Sequence, residues 1–345
     1  MHSSNKIRPR IPTSVFFCKF KKYCRRLLER LKLYRESAHD ANRYYNAASW
    51  AGPVSRHLLT HIESDLIKHY HVIEKGLSMP DFRARAGTDV LRHLIQLLEI
   101  WKSEGGDGSA FHYLASLAVI SDYHRRHQAL GIDVSDLIPS EILMTPSLRL
   151  PEGGAKPPVA VTESDLAAFD RIALSRHSVR NFDPSRIPDR SVVTDAVRVA
   201  TSTPSVCNRQ TWRVHFYEGA EAQRILAFQN GNRGFGHLIP TVAVVTSDMR
   251  LFAGGAERYQ AWIEGGMFSM NFILALHARG ISSVTLNWSR LNRDDRTFRA
   301  VARIPDYERI AMLIGLGYAA SGHDVACSPR SPAETFITWH QSLVK

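Results

Sequence analysis

The chain has little cysteine. It holds four in 345 residues, Cys18, Cys24, Cys207 and Cys327, with no CxxC pair. That excludes a disulfide-stapled framework and a zinc site built on cysteine pairs, and it suits a reducing compartment. No apolar run approaches the ~20 residues of a membrane-spanning helix. The opening "MHSSNKIRPRIPTSVFF" lacks the apolar core of a secretory signal, so a cytoplasmic location is expected. Internal repeats are missing, and no clear dinucleotide-binding motif appears. Acid is scarce in one place. Residues 1–35 hold eleven Lys or Arg and one carboxylate, Glu29, so this stretch carries +10 of a total of +11. Residues 36–150 carry −3 and residues 151–345 carry +4. The basic character belongs to an N-terminal arm. No base-reading motif accompanies it, so nucleic acid is not expected as a partner.

What is present is ordinary for a globular protein: 44% hydrophobic and 22% charged residues. A length of 345 residues makes two domains the default. In the arm, Phe16, Phe20, Cys24, Leu27, Leu31 and Tyr34 recur at helical spacing among Lys19, Lys22, Arg25, Arg26, Arg30 and Lys32. This pattern predicts a basic amphipathic helix over residues 1–35. Its apolar stripe is expected to pack on its own domain. The alternative is peripheral contact with an anionic membrane or an acidic protein.

Residues 36–144 read as a helical domain. Helices are predicted over 55–77, stopped by Gly76; over 88–106, with Thr88 as N-cap; and over 109–131, ended by Gly131. The first carries His57, His61, Asp65 and His69 at successive i+4 steps. One ion could hold only two neighbours from such a row, so a polar packing face is preferred to a metal site. Residues 145–164 are rich in Pro and Gly and read as a linker. Beyond it, helical patterns at 162–175, 188–201 and 265–280 alternate with β-rich runs "WRVHFY", "TVAVVTS", "SSVTLNW" and "RIAMLIGLGY". The 165–345 region is therefore α+β or α/β.

Two short stretches carry chemistry. In "RHSVRNF", Arg176, Ser178 and Arg180 alternate beside His177 and Asn181. On an extended segment alternate side chains share a face, so two guanidinium groups and a hydroxyl would converge, as a phosphate requires. About a helix further on, "TPSVCNRQTW" offers Pro204, Ser205, Asn208 and Gln210 before Trp212. The pair of stretches resembles the FMN-dependent nitroreductase family, whose members have Arg-x-Ser-x-Arg/Lys-x-Phe, a helix, then Pro-Ser-x-x-Asn-x-Gln-Pro-Trp. The family's second Pro is Thr211 here. The helix "EGGMFSMNFILALHARGI" resembles the family's dimer-interface helix, and "SVTLNWS" holds the place where its backbone passes the flavin. "GLGYAASGHDVACSPRSPAETF" resembles its last core strand and phosphate segment, with Arg330 matching a phosphate-binding Arg and Ser328 in place of a frequent Lys. The resemblance spans about residues 165–337.

It implies an α+β fold, a mixed sheet flanked by helices, in a homodimer with FMN at the interface. Arg176, Ser178 and Arg330 would hold the phosphate, with His177 nearby and Arg180 favouring the reduced flavin. Asn208, Asn230 and Asn232 would read the ring's amide edge, and the backbone of Leu286, Asn287 and Trp288 would line it. Pro204, Ser205, Asn208 and Gln210 would come from the partner chain. The implied activity is reduction of a conjugated small-molecule acceptor, such as a nitro compound or quinone, by NADH or NADPH. FMN-dependent oxidation of a specialised substrate of azoline type, and an adaptor role through the arm, are the alternatives. The stretch between "TVAVVTSD" and "AWIEGGM" is short, so the N-terminal domain is a candidate to replace the family's substrate-covering insertion.

Overall fold

The computed structural model describes residues 13–50, 57–80, 83–146 and 150–340, with side chains from Tyr23 onward. The side chains of Phe16, Lys19, Phe20 and Lys22, residues 55–56 of the first predicted helix and residues 147–149 of the linker lie outside the described residues.

Helix α1 (Thr13–Ala47) runs unbroken through residue 35. The stripe expected to pack on its own domain does not do so: Leu27, Leu31 and Tyr34 are exposed. Among the described side chains, the hydrogen bonds and ion pairs from α1 to the body begin at Glu36. There the Glu36 carboxylate accepts the Asn292 N–H at 2.8 Å, Asp40 pairs with Arg309, and Arg43 meets Asp295 at 3.2 Å. Tyr44, Ala47 and Ala48 then pack with Met249, Phe252 and Ala261.

Helices α2 (Leu58–Leu77), α3 (Thr88–Ser103) and α4 (Phe111–Ala129) share one apolar core around Leu66, Leu91, Leu94 and Ile120. Thr88 is the first helical residue of α3 and not its cap. Gly87 precedes it at φ 76°, a left-handed conformation open to glycine, and the Thr88 hydroxyl turns back to donate to the Arg85 carbonyl at 2.6 Å. The histidine row of α2 is spent on packing. His61 Nε2 lies 3.0 Å from the Ala47 carbonyl, and His57 packs edge-on against Tyr307. His69 bonds the Asp65 carbonyl at 2.6 Å and its ring meets that of His93. Among the described residues, no group of three His, Cys, Asp or Glu side chains is gathered as a metal set.

His112 Nδ1 at the start of α4 lies 3.1 Å from the Tyr70 hydroxyl, within hydrogen-bond distance. Burial, with Arg213 nearby, depresses its imidazole to about 4. Between the ordinary value near 6.5 and about 4, the unfolded chain takes up a proton that the folded chain refuses. Stability should therefore fall as pH is lowered through that window, by at most about 3 kcal/mol. Urea midpoints between pH 7 and 4.5 should show this slope in the wild type and a flatter one in His112→Gln. Equal slopes would refute the assignment.

After the short α5 (Ser140–Leu143) and an irregular stretch, α6 (Glu163–Ser175) begins at a capping box between Thr162 and Asp165, and α7 (Arg190–Ala200) at an Asp189 cap. Strand β1 (Trp212–Glu218), α8 (Gly219–Leu226), β2 (Thr241–Asp248), α9 (Gln260–His277), β3 (Ser282–Asn287), α10 (Asn292–Ala302) and β4 (Glu308–Gly317) complete the order. The four β-rich runs of the sequence form one sheet in the order β1-β2-β4-β3. Its strand pairings are all antiparallel, and the parallel component is limited to isolated bridges, Ser178–Ser283 and Ser49–Ala253.

The sheet is covered on both faces, which is why β2 is buried throughout. Val242 and Val244 point to a layer containing α8 and α10, whereas Ala243 and Val245 point to α7 and α9. A bulge in β4 sets Ala311 against α9. A Cβ on Gly265 would sit 2.5 Å from that of Ala311, so only glycine lets α9 pass the bulge.

Candidate functional site

The Arg176–Phe182 segment leaves α6 in extended form beside β3. The Val179 N–H donates to the Ser283 carbonyl at 3.0 Å, and the Asn181 carbonyl accepts from Ala320 at 2.9 Å. Val179 and Phe182 are buried and anchor the segment. A cavity of about 340 Å³ opens alongside, lined by Arg176, His177, His277, Ser283 and His323 among others. Among the described residues, no carboxylate lines it. Burial and the adjacent Arg330 lower the Arg176 guanidinium from its ordinary value. Burial, with Arg176 and His177, likewise lowers His277. These groups repel one another, and an anion would relieve that repulsion. Two hydrogen bonds fix their orientation: His277 Nε2 lies 2.8 Å from Ser175 Oγ, and His177 Nδ1 lies 2.7 Å from the Ser175 carbonyl.

Alternation does not describe this segment fully. His177 lines the cavity with Arg176, whereas Ser178 is engaged in the bridge to Ser283 and Arg180 is exposed outside the lining. His277, at the last turn of α9, and His323, beyond β4, lie within stretches that resemble the family but were not singled out as site residues. Their histidine identity was the only signal, and the fold alone brings them to residues about a hundred or more positions away.

The end of β3 forms a second group. Gln229, buried, donates to the Asn287 carbonyl and accepts the Gly231 N–H at 2.5 Å, which ties the Asn230–Asn232 turn to the strand. Asn230 is exposed beside it, and Asn232 is turned inward to the Leu226 carbonyl at 3.0 Å. Leu286 belongs to the core. Trp288 packs on Phe298 with ring centroids 4.3 Å apart, and its indole N–H donates to Asp295 at 2.7 Å. Ser283 and Asn287 are four residues apart on one strand, about 13 Å at the usual rise. A ligand with an anionic end and a flat, amide-edged end would span the two groups.

The Pro204–Gln210 loop stands apart, and none of its residues lines the cavity. Cys207, Asn208 and Gln210 all have φ between 50° and 56°, a conformation that non-glycine residues hold only when their surroundings impose it. Here the carboxylate of buried Glu264 accepts the Val206 N–H at 2.8 Å and the Thr211 hydroxyl at 2.6 Å. Ser205 Oγ accepts the Gln210 N–H at 3.0 Å. Arg209, fully buried, pairs with Glu257. The threonine at 211 thus supplies a bond that proline could not. Glu264, Glu257 and Arg209 were not legible as loop supports, because the carboxylates lie 48 residues or more from their partners. Helix α2 also packs against the Val206–Asn208 turn, so the helical region reaches this loop. A larger cavity of about 550 Å³ lies between α7 and the free edge of β1 and contains none of the predicted residues.

Residues 173–231 and 217–318 match the family model described as the nitroreductase family. These residues carry the loop, the end of β3 and the lining of the smaller cavity except His323 and Val325. Together the two matches cover residues 173–318, and this stretch is similar to the nitroreductase family. The nitroreductase match stops short of α1–α5 and of the segment that carries His323 and Arg330. Among solved structures, a nitroreductase family protein from Streptococcus pneumoniae TIGR4 is 19% identical, with a TM-score of 0.43 over 50% of this chain and 100% of its own. A protein of Exiguobacterium sibiricum 255-15, assigned as a nitroreductase and solved in complex with FMN, is 20% identical, with a TM-score of 0.44 over 50% of this chain and 97% of its own. The enone reductase CLA-ER, which catalyses a step of gut-bacterial fatty acid saturation, is 19% identical, with a TM-score of 0.43 over 49% and 96%. No match was found among curated proteins.

Proposed function

We propose that this nitroreductase-family protein is an FMN-dependent oxidoreductase that uses NADH or NADPH to reduce a conjugated small-molecule acceptor. The observation that carries the reading is the cavity lined by Arg176, His177, His277 and His323, with no carboxylate among the described residues, set against β3. Its donors suit a dianionic phosphate. Arg176 and Arg330 would hold that group as charged donors, with His177 and His277 around it and Ser178 beside it. Asn230 and the backbone at Asn287 and Trp288 would meet the ring. FMN, when bound, would supply hydride-transfer chemistry between a nicotinamide and the acceptor. The protein's part is to bind and orient. Arg180, free of the cavity lining, would place positive charge near the ring.

The Pro204–Gln210 loop, rigid yet remote from the cavity in its own chain, supports a homodimer in which each chain lends this loop to its partner's flavin. Trp262, Ile263, Met267 and Met270 recur at helical spacing on α9 and remain exposed, as an uncovered subunit interface would leave them. On this reading residues 165–345 form the flavin domain and residues 36–144 a helical domain beside the shared site.

The test is a visible absorption spectrum of the purified protein, followed by NADH and then NADPH without oxygen. A bound flavin that bleaches with either nucleotide is the expected result. A bound flavin that neither nucleotide bleaches would exclude the nicotinamide donor. No flavin after incubation with FMN would overturn the reading.

A further inference from the structure

The arm is the least explained feature of the chain, and its geometry points to a partner. Among the described residues, α1 leaves the body before Glu36. The side-chain bonds of residues 23–35 are local to the helix: Arg30 to Tyr34, Lys32 to Glu29 and Arg35 to Glu36. At ~100° per residue, Tyr23, Cys24, Leu27, Leu28, Leu31 and Tyr34 fall within an arc of about 140°. The own fold does not cover this arc. Leu28 is 65% exposed, Leu31 56% and Tyr34 57%, values foreign to a packed leucine stripe. Cations flank the arc on both sides, Arg26 and Arg30 along one edge and Lys32 and Arg25 along the other, while Arg35 falls within it on the Leu28 side. Residues 23–35 hold five cations and one carboxylate, and the preceding residues add six cations and no acid.

We infer that α1 docks the protein, as a peripheral helix lying flat, on a lipid surface bearing anionic headgroups. Both halves of the pattern are then used. The apolar arc enters the headgroup–acyl boundary, and the flanking guanidinium and ammonium groups meet phosphate and carboxylate at the surface. The competing occupants each leave one half unused. A second arm laid against the first would set cation against cation along both edges, without carboxylates to pair them. A nucleic acid would engage the cations and leave three leucines in water. The attachment to the body is built to transmit the docking. Glu36 caps α10, Asp40 meets Arg309, and Arg43 joins Asp295, so the helix continues rigidly from the lipid into the flavin-bearing half.

The experiment is sedimentation of the full chain with vesicles of phosphatidylcholine alone and of phosphatidylcholine with phosphatidylserine. The protein should sediment with the anionic vesicles, stay in solution with the neutral ones, and be released as salt is raised. Leu27→Asp with Leu31→Asp should lower the bound fraction at least tenfold. Arg26→Gln and Arg30→Gln should each weaken partitioning about fivefold. All four positions are exposed, so unfolding temperatures should match the wild type, and that is measured alongside. Three outcomes would overturn the inference: no sedimentation with either vesicle, equal binding to both, or leucine variants that bind undiminished. Tight binding to duplex DNA without vesicle binding would assign the arm to nucleic acid. Loss of dimer in the leucine variants without vesicle binding would assign it to a contact between copies.

Discussion

Arg176→Gln should retain FMN at least tenfold more weakly than the wild type, with the fold intact. A hydrogen bond from a charged group to a phosphate is worth about 1.5–3 kcal/mol, or roughly ten- to a hundredfold in affinity. Arg176 is the one guanidinium in the cavity lining. Its own surroundings make it costly without an anion, since Arg330 and burial both disfavour its charge. Removing it should therefore slightly relieve the empty protein while weakening the loaded one. Fluorescence titration of released flavin measures the first effect and thermal unfolding without FMN the second. A variant that binds FMN as the wild type does would place the phosphate elsewhere. His277→Gln separates charge from geometry. It keeps a partner for Ser175 Oγ, so its loss of affinity should be smaller and confined to pH values at which the imidazolium forms.

Asp295→Ala should destabilise the protein by about 3–5 kcal/mol, the usual result of stripping the counter-ion from a buried pair. Asp295 accepts from Arg299 at 2.6 Å, from Trp288 at 2.7 Å and from Arg43 at 3.2 Å. Arg299 is 3% exposed, so its charge would have little water to turn to. One carboxylate thereby holds together α1, α10 and the residue after β3 that is proposed to border the flavin. Burial alone would raise its pKa, but Arg299, Trp288 and Arg43 outweigh burial and hold it below the ordinary carboxylate value. A depressed folded value means that the contribution is complete above the ordinary range near 4 and is lost as pH falls through the folded value. Denaturant unfolding should show the loss at neutral pH. Asp295→Asn should be the milder variant, because it can keep the Trp288 bond, and its stability should lack the acid limb. A change below about 1 kcal/mol for Asp295→Ala would mean that α1 is attached by its apolar contacts alone.

Many of the local elements were readable from the chain, though helices α8 and α10 were not. Period-3.6 and period-2 patterns are properties of contiguous residues, and each of the four β-rich runs became a strand. The two flavin-like stretches were also readable, because turn and phosphate chemistry demands particular residue types at fixed offsets. The sequence therefore determined the four strands, most of the helices, the family resemblance of the C-terminal half and the existence of a basic arm. Tertiary structure decided what these parts face. His277 and His323 join Arg176 because α9 and β4 both end beside the same stretch of β3. Glu264 supports a loop 53 residues away because α9 crosses beneath it. The leucines at 27, 28 and 31 are exposed because, among the described residues, attachment to the body begins at Glu36, where charge and not apolar contact starts it. Helical periodicity reports that a face is apolar; only the packed chain determines whether protein, or something else, covers it.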